Sequence, residues 1–273
     1  MQKQMKIFHF ASAILAAPFL AIEAFAEDTH LGEAKAVFEW VSQTPNAYVN
    51  PKVGLRREIP GDPSSAMGVY ATETIEVGED ILKVPYSIII EPIDTGEPVS
   101  QAMCSSIKAV ERELRLGADS KFGPYAVYLN GEADASIPST WSKPAQDLLK
   151  QVLKTDKDEL LPPEYPVDHV KGWARRCRGD VNDEIAMRAL LMVIARADDA
   201  DMIPAYDNLN HRNGNWTNTV TIADDEEEHQ LTKASKTIPA GEQIYNSYNM
   251  CEECGGREYY YGTAGKYQYL QIF

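Results

Sequence analysis

Cysteine and basic residues are scarce in this chain, and no long apolar run goes uninterrupted. Four cysteines in 273 residues, Cys104, Cys177, Cys251 and Cys254, are too few for a disulfide framework that replaces a hydrophobic core. Only Cys251 and Cys254 are closely spaced. One such pair cannot complete a four-ligand zinc site unless Cys104, Cys177 or a distant histidine joins it, so no metal is expected and a local disulfide or two solvated thiols is the preferred reading. Low-complexity tracts and internal repeats are also missing, which excludes solenoids and propeller arrays. Lysine and arginine number 26 against 41 aspartates and glutamates. A surface this acidic repels phosphate backbones, so nucleic acid is not an expected ligand and a basic protein or peptide is.

The one extended apolar stretch is N-terminal. Residues 1–26 give a basic head (Lys3, Lys6), an apolar segment from Ile7, and Ala24-Phe25-Ala26 before Glu27. This pattern predicts a secretory signal peptide cleaved after Ala26. His9, Pro18 and Glu23 interrupt the segment, which disfavours an uncleaved anchor, so no stable membrane span is expected after cleavage. Without Lys3, Lys6 and Glu23 the mature chain carries 24 basic and 40 acidic residues, a formal charge of −16. The secretory pathway or the extracellular space is the expected location. The alternative is a plastid reached by a two-part leader, but "EDTHLGEAK" is acidic where a transit peptide is basic and serine-rich.

What remains is ordinary globular material, 44% hydrophobic and 25% charged. Its size suits one domain with an insert. Residues 27–51 are expected to hold a short helix and a linker: Leu31, Ala34, Phe38 and Val41 recur at helical spacing after Thr29, a candidate N-cap. Residues 52–273 form the main domain. Its first block, 52–91, alternates β-rich pieces with the turns "PGDPSS" and "VGED" and reads as an antiparallel sheet. Residues 97–200 read as a helical insert. In its last helix Asp183 is the expected N-cap and Ile185, Ala189, Leu190 and Val193 share a buried face, while "ELLPPEYP" is a loop. Strand candidates then return in "NTVTIA", "QLTKASK" and "EQIYNSY", with "DDEEEH" as a solvated hairpin tip between the first two and a weak cation site as the minor reading. Strands, helices, strands means that the two β blocks pair across the insert, an α+β fold.

Taken singly, the chemistry-bearing residues are ambiguous. Gly68 permits close approach of a ligand or equally a bulge. Arg196 ends a helix, where the macrodipole favours a cation. Asn210-His211 reads as a polar turn, and Tyr245 and Tyr248 as strand packing residues that also carry hydroxyls.

In combination they are specific. "GVYATETIEVGEDILKVP", "SKFGPYAVYLNGEADASIPSTW", "ALLMVIARADDADMIPAYDNLNHRNG" and "ASKTIPAGEQIYNSYN", in that order, resemble the SET-domain methyltransferases, and most nearly the branch containing the Rubisco large-subunit lysine methyltransferases and the actin histidine methyltransferase. The resemblance covers about residues 52–250. It implies a SET-domain fold of small antiparallel sheets with a helical insert and a C-terminal segment threaded as a pseudoknot, a rare topology. It implies S-adenosyl-L-methionine as cofactor, met by Ala66, Met67 and Gly68, reached by Arg196, and held by Asp207, Asn210 and His211. It also implies Tyr248 as the catalytic tyrosine with Tyr245 as its strand neighbour, and a protein lysine or histidine as methyl acceptor. Three departures qualify these implications. No stretch resembles that branch's large helical substrate domain, and the end "GTAGKYQYLQIF" matches the family's closing aromatic loosely, with Tyr267 or Tyr269 in its place. The zinc-binding cysteines of the histone-modifying branches are missing. The sequon Asn215-Trp216-Thr217 follows His211 closely, and a glycan there would argue against an open pocket. A SET-like binding module without catalysis is the alternative reading.

Overall fold

A computed structural model describes residues 28–93, 102–132, 141–153, 169–198, 200–212 and 214–247. The expected signal peptide, the expected 159–166 loop, Tyr248, the Cys251/Cys254 pair and the expected C-terminal threading fall outside the described residues.

The chain opens with α1 (Thr29–Gln43), whose Ala34, Val37 and Val41 are buried. Its cap is Asp28, not Thr29: Asp28 Oδ1 accepts from Leu31 N at 3.0 Å. The shift has a tertiary cause, since Arg57 Nε donates to Asp28 Oδ2 at 2.7 Å and Arg57 Nη2 to Oδ1 at 3.1 Å, fixing that carboxylate at the helix start.

Strands β1 (Tyr48–Val49), β2 (Val53–Arg57), β3 (Met67–Ala71) and β4 (Asp80–Pro85) follow. Beyond the insert come β5 (Asn210–His211), β6 (Thr219–Asp224), β7 (His229–Ala234) and β8 (Tyr245–Asn246). β4 pairs antiparallel with β7, Leu82 opposite Thr232 and Val84 opposite Gln230, in a four-stranded sheet ordered β1-β4-β7-β6. The two β blocks thus close across the insert, as their order required. β2 and β3 form a hairpin with Arg56 opposite Gly68. β5 and β8 pair in parallel, unlike the antiparallel pairing expected throughout. Parallel neighbours need a long crossover, and β6 with β7 supplies it.

The insert holds α2 (Ala102–Leu116), α3 (Gly123–Gly131), α4 (Lys143–Leu153), α5 (His169–Arg176) and α6 (Glu184–Arg196). Asp183 caps α6, accepting from Ile185 N at 3.0 Å and Ala186 N at 3.1 Å. Ala189, Leu190 and Val193 are buried as expected, with Ala186 and Met192 beside them, while Ile185 is half-buried. α5 was not anticipated, being eight residues with Trp173 as its buried anchor. Just past it, Cys177 is disulfide-bonded to Cys104 of α2, a pairing 73 residues apart that close spacing did not reveal. It removes both cysteines as zinc ligands for Cys251 and Cys254. No described helix is long and apolar enough to cross a membrane.

Candidate active site

Three segments meet at Gly68. β3 brings Met67 and Gly68, β5 brings Asn210, which His211 follows in the strand, and the segment entering β8 brings Gln243 and Tyr245. That last segment is laced to β3 by backbone bonds, Ile244 N to Val69 O at 2.8 Å and Ala71 N to Glu242 O at 2.9 Å. Ile244 is fully buried, which points its neighbours Gln243 and Tyr245 to the other face. Asn210 Nδ2 donates to Met67 O at 2.9 Å, and its Oδ1 accepts from no described residue. A Cβ on Gly68 would lie 2.1 Å from Gln243 Nε2 and 3.1 Å from Asn210 Nδ2, so the absent side chain is what admits both amides. Tyr245 OH donates to Gln243 Oε1 at 2.7 Å. Buried Asn218 pins the backbone of both, donating to Gln243 O at 2.9 Å and accepting from Tyr245 N at 2.7 Å.

Behind this wall lies a buried charged network. Ala205, with φ at 64°, turns the chain into the 3-10 turn Tyr206–Asn208, a strained conformation for a residue bearing Cβ. The turn places Asp207, whose side chain is fully buried, against Arg196 at the end of α6: Arg196 Nη1 lies 3.2 Å from Asp207 Oδ2. Arg196 Nη2 pairs with Glu132 at the end of α3. Tyr125 OH donates to Asp207 Oδ2 at 2.8 Å. Tyr128 OH lies 2.7 Å from Glu132 Oε1 and 2.8 Å from Asn208 Oδ1; it has one proton, and the carboxylate is the stronger acceptor. His30 of α1 stacks on the Tyr128 ring and brings Nε2 to 3.1 Å from Glu132 Oε1, an ion-pair contact without aligned hydrogen-bond geometry.

Burial and charge divide the titrations. Burial raises the Asp207 carboxyl above its ordinary value against the pull of Arg196 and Tyr125. Burial also works on Glu132, but His30 and Arg196 outweigh it and hold that carboxyl at about 2. Contact with Glu132 raises the His30 imidazole, with burial opposing. Burial lowers His211, opposed by a hydrogen bond with the Asn246 backbone, so the imidazole beside Asn210 is neutral at physiological pH.

The structure therefore brings Met67, Gly68, Asn210 and Tyr245 together through Gln243, with His211 next along β5 opposite Asn246 and Ala66 at the entry to β3, where its carbonyl accepts from Glu58 N at 2.8 Å. Arg196 and Asp207 form a second group, each partnered within the protein. The 206–211 stretch, a surface turn when taken alone, is a half-buried to buried wall. Gln243, Asn218, Glu132, Tyr125, Tyr128 and His30 were not singled out as site residues. For Gln243 the available signal was its place in "GEQIYNSY", two residues before Tyr245 and so on the same strand face. Asp224, Glu227 and His229 are the one described group able to hold a metal; they sit at the far end of β6 from Thr219, whose Oγ1 donates to Tyr245 O at 3.0 Å.

This arrangement can hold a ligand by neutral amides and backbone, without a metal. No curated protein matches the chain. Solved structures do. A Rubisco LSMT bound to AdoMet is 17% identical with a TM-score of 0.51, over 80% of this chain and 53% of that one. A Rubisco LSMT bound to sinefungin and monomethyllysine is 19% identical with a TM-score of 0.50, over 80% and 53%. The SET domain of an LSMT bound to methyllysine and AdoHcy is 17% identical with a TM-score of 0.50, over 88% and 57%. The chain spans about half the length of these structures, and at such identities the likeness is one of fold. A family model for the SET domain matches residues 66–249, the stretch from Ala66 through Tyr248 that carries every candidate residue above. The chain belongs to the SET domain family.

Proposed function

We propose that this protein is an S-adenosylmethionine-dependent protein methyltransferase acting on a lysine side-chain nitrogen, with histidine as the variant acceptor. The observation that carries the reading is the convergence of Gly68, Asn210 and the Gln243–Tyr245 pair from three separate segments. Family membership and the ligands of the similar structures, AdoMet, AdoHcy and methyllysine, support it.

The residues fit the cofactor in chemical type. Asn210, bonded to Met67 O beside Ala66 and Gly68, offers an amide acceptor, and neutral His211 sets no positive charge against a sulfonium; the side-chain space at Gly68 itself is taken by Gln243. Arg196 and Asp207 serve from behind, holding the turn that carries Asn208 and Leu209 toward Asn210. The bound cofactor supplies an electrophilic methyl group; the protein's task is position and dryness. Tyr248, three residues beyond Tyr245 in sequence, would orient the acceptor nitrogen. That nitrogen first loses a proton to water. With the cofactor bound, its methyl group would pass to the nitrogen lone pair as the C–S bond electrons return to sulfur, leaving the positive charge on nitrogen, and the hydroxyl and ring of Tyr248 would stabilise that developing charge. The acidic surface attracts a basic substrate but also stabilises its ammonium form, which burial must offset.

One observation favours the second reading, a SET-like protein-binding module without catalysis: Arg196 and Asp207 are already paired with Glu132, Tyr125 and each other. A protein extract incubated with the mature chain and methyl-labelled S-adenosylmethionine decides between them by mass spectrometry. Labelled lysine or histidine is expected with the native chain and its near-loss with Tyr248→Phe. No labelled protein favours the binding module. The leader-like residues 1–26 and the Cys104–Cys177 disulfide support maturation in the secretory pathway, which N-terminal sequencing of the expressed protein tests by finding Glu27 first.

A further inference from the structure

Gly68 is not an open cradle. Its missing Cβ would stand 2.1 Å from Nε2 and 2.9 Å from Cδ of Gln243, so the glycine is filled by the amide of another strand. That amide is not idle. Its Oε1 accepts the proton of Tyr245 OH at 2.7 Å, and its backbone is clamped beside Tyr245 by the two arms of Asn218. Gln243 and Tyr245 alternate with fully buried Ile244, so both side chains leave the same face of one strand.

Resting on the methyltransferase reading, we propose that Gln243 is a positioning residue that fixes the Tyr245 hydroxyl as a hydrogen-bond acceptor toward the methyl-accepting nitrogen, and that Gly68 is required so that Gln243 can reach it. A phenol has one proton to donate. With that proton committed to Gln243 Oε1, the oxygen presents only lone pairs to the substrate, and it binds an N–H of the acceptor amine. The nitrogen lone pair is then left free to form the N–C bond. Released from Gln243, the hydroxyl can donate its proton to that same lone pair, which occupies the electrons the reaction needs. The two cases differ in orientation at the reacting nitrogen rather than in binding, so the loss falls on kcat. The same geometry makes Gly68 and Gln243 one unit: a methyl group at position 68 expels the amide, and once the amide is gone that methyl group meets little.

The test uses the mature chain, with S-adenosylmethionine binding measured by calorimetry and the initial rate of labelled-methyl transfer to a protein extract. Gln243→Ala is expected to lower the rate at least tenfold while the cofactor dissociation constant stays within about threefold. Gln243→Glu, which keeps an acceptor for Tyr245 OH, is expected to recover most of the rate. Gly68→Ala alone is expected to match Gln243→Ala, and the double variant to be no slower than either. Rate losses that multiply in the double variant overturn the proposal, as does a Gln243→Ala chain with native rate, or one whose affinity falls in step with its rate. A native chain that neither binds the cofactor nor transfers methyl groups refutes the methyltransferase reading itself, whereas native turnover with an unaffected Gln243→Ala refutes only the role given to Gln243.

Discussion

Arg196 is the cation between two buried carboxylates, and replacing it with methionine is the sharpest perturbation of the wall behind the site. Asp207 has no exposed side-chain surface and Glu132 about 17%. Without the guanidinium, Asp207 keeps Tyr125 and Glu132 keeps Tyr128 and His30, but two carboxylates face each other across an apolar side chain. Removing one partner of a buried ion pair costs about 3–5 kcal/mol, far above the roughly 1 kcal/mol of an exposed pair. For a chain of this size that corresponds to a fall in Tm of about 10 °C. The pH dependence has a definite sign. In Arg196→Met the Asp207 carboxyl, already raised by burial, loses the charge that opposed that rise, so the variant is stabilised as pH falls and Asp207 takes up a proton, and its deficit is largest above neutrality. Arg196→Met/Asp207→Asn, which removes one of the stranded charges, recovers part of the loss. Urea unfolding at pH 5.5 and 8, chosen to lie on either side of about neutral, measures all three. A loss below about 1 kcal/mol, or one independent of pH, refutes the reading of this network as buried and charge-paired.

Four further outcomes follow from the contacts described. His30 titrates above its ordinary value because of Glu132, so its stabilisation is present below about pH 6.5 and is lost as pH rises through the raised value; His30→Gln flattens that part of the stability profile, and an unchanged profile contradicts the contact. Glu132, held at about 2 against an ordinary 4.5, contributes stability that is present above about pH 4.5 and is lost as pH falls toward 2, so Glu132→Gln loses acid sensitivity in that window. The Cys104–Cys177 disulfide closes a loop across a separation of 73 residues, worth about 4 kcal/mol in chain entropy; Cys104→Ala/Cys177→Ala is expected to unfold at clearly lower urea, and a midpoint equal to the native chain's contradicts the bond. Asn218→Ala leaves the Gln243 carbonyl and the Tyr245 amide without partners at a cost of about 1–3 kcal/mol, read as faster hydrogen exchange at Tyr245 than at Ile222.

The elements that could be read from sequence are those whose signal is local. Asp183 precedes a clear 3.6-residue apolar period and caps α6; the order of blocks was enough to expect the two β blocks to pair across the insert, and they do so through β4 and β7. The Asp28 cap was missed because its cause is Arg57, on another element, and α5 because eight residues with one buried tryptophan show no period. The same division runs through the site. Gly68, Asn210, His211 and Tyr245 were singled out through ordered motifs, and of these Gly68, Asn210 and Tyr245 are joined through Met67 O and Gln243. Their supporting residues were not: Tyr125 meets Asp207 across 82 positions and Arg196 meets Glu132 across 64, and no window of sequence contains both partners. Gln243 and Asn218 are single amides, whose importance comes from what stands opposite them. Gly68 shows the limit most clearly. Ligand approach and a bulge were equal readings of the glycine, and the group that approaches it within the described residues is the amide of Gln243.

The central claim is that this wall of amides binds S-adenosylmethionine. Isothermal titration of the mature native chain with S-adenosylmethionine tests it most directly. The account predicts saturable one-to-one binding that Asn210→Ala weakens at least tenfold and Tyr248→Phe leaves nearly intact. Absence of binding by the native chain, or binding indifferent to Asn210, contradicts it.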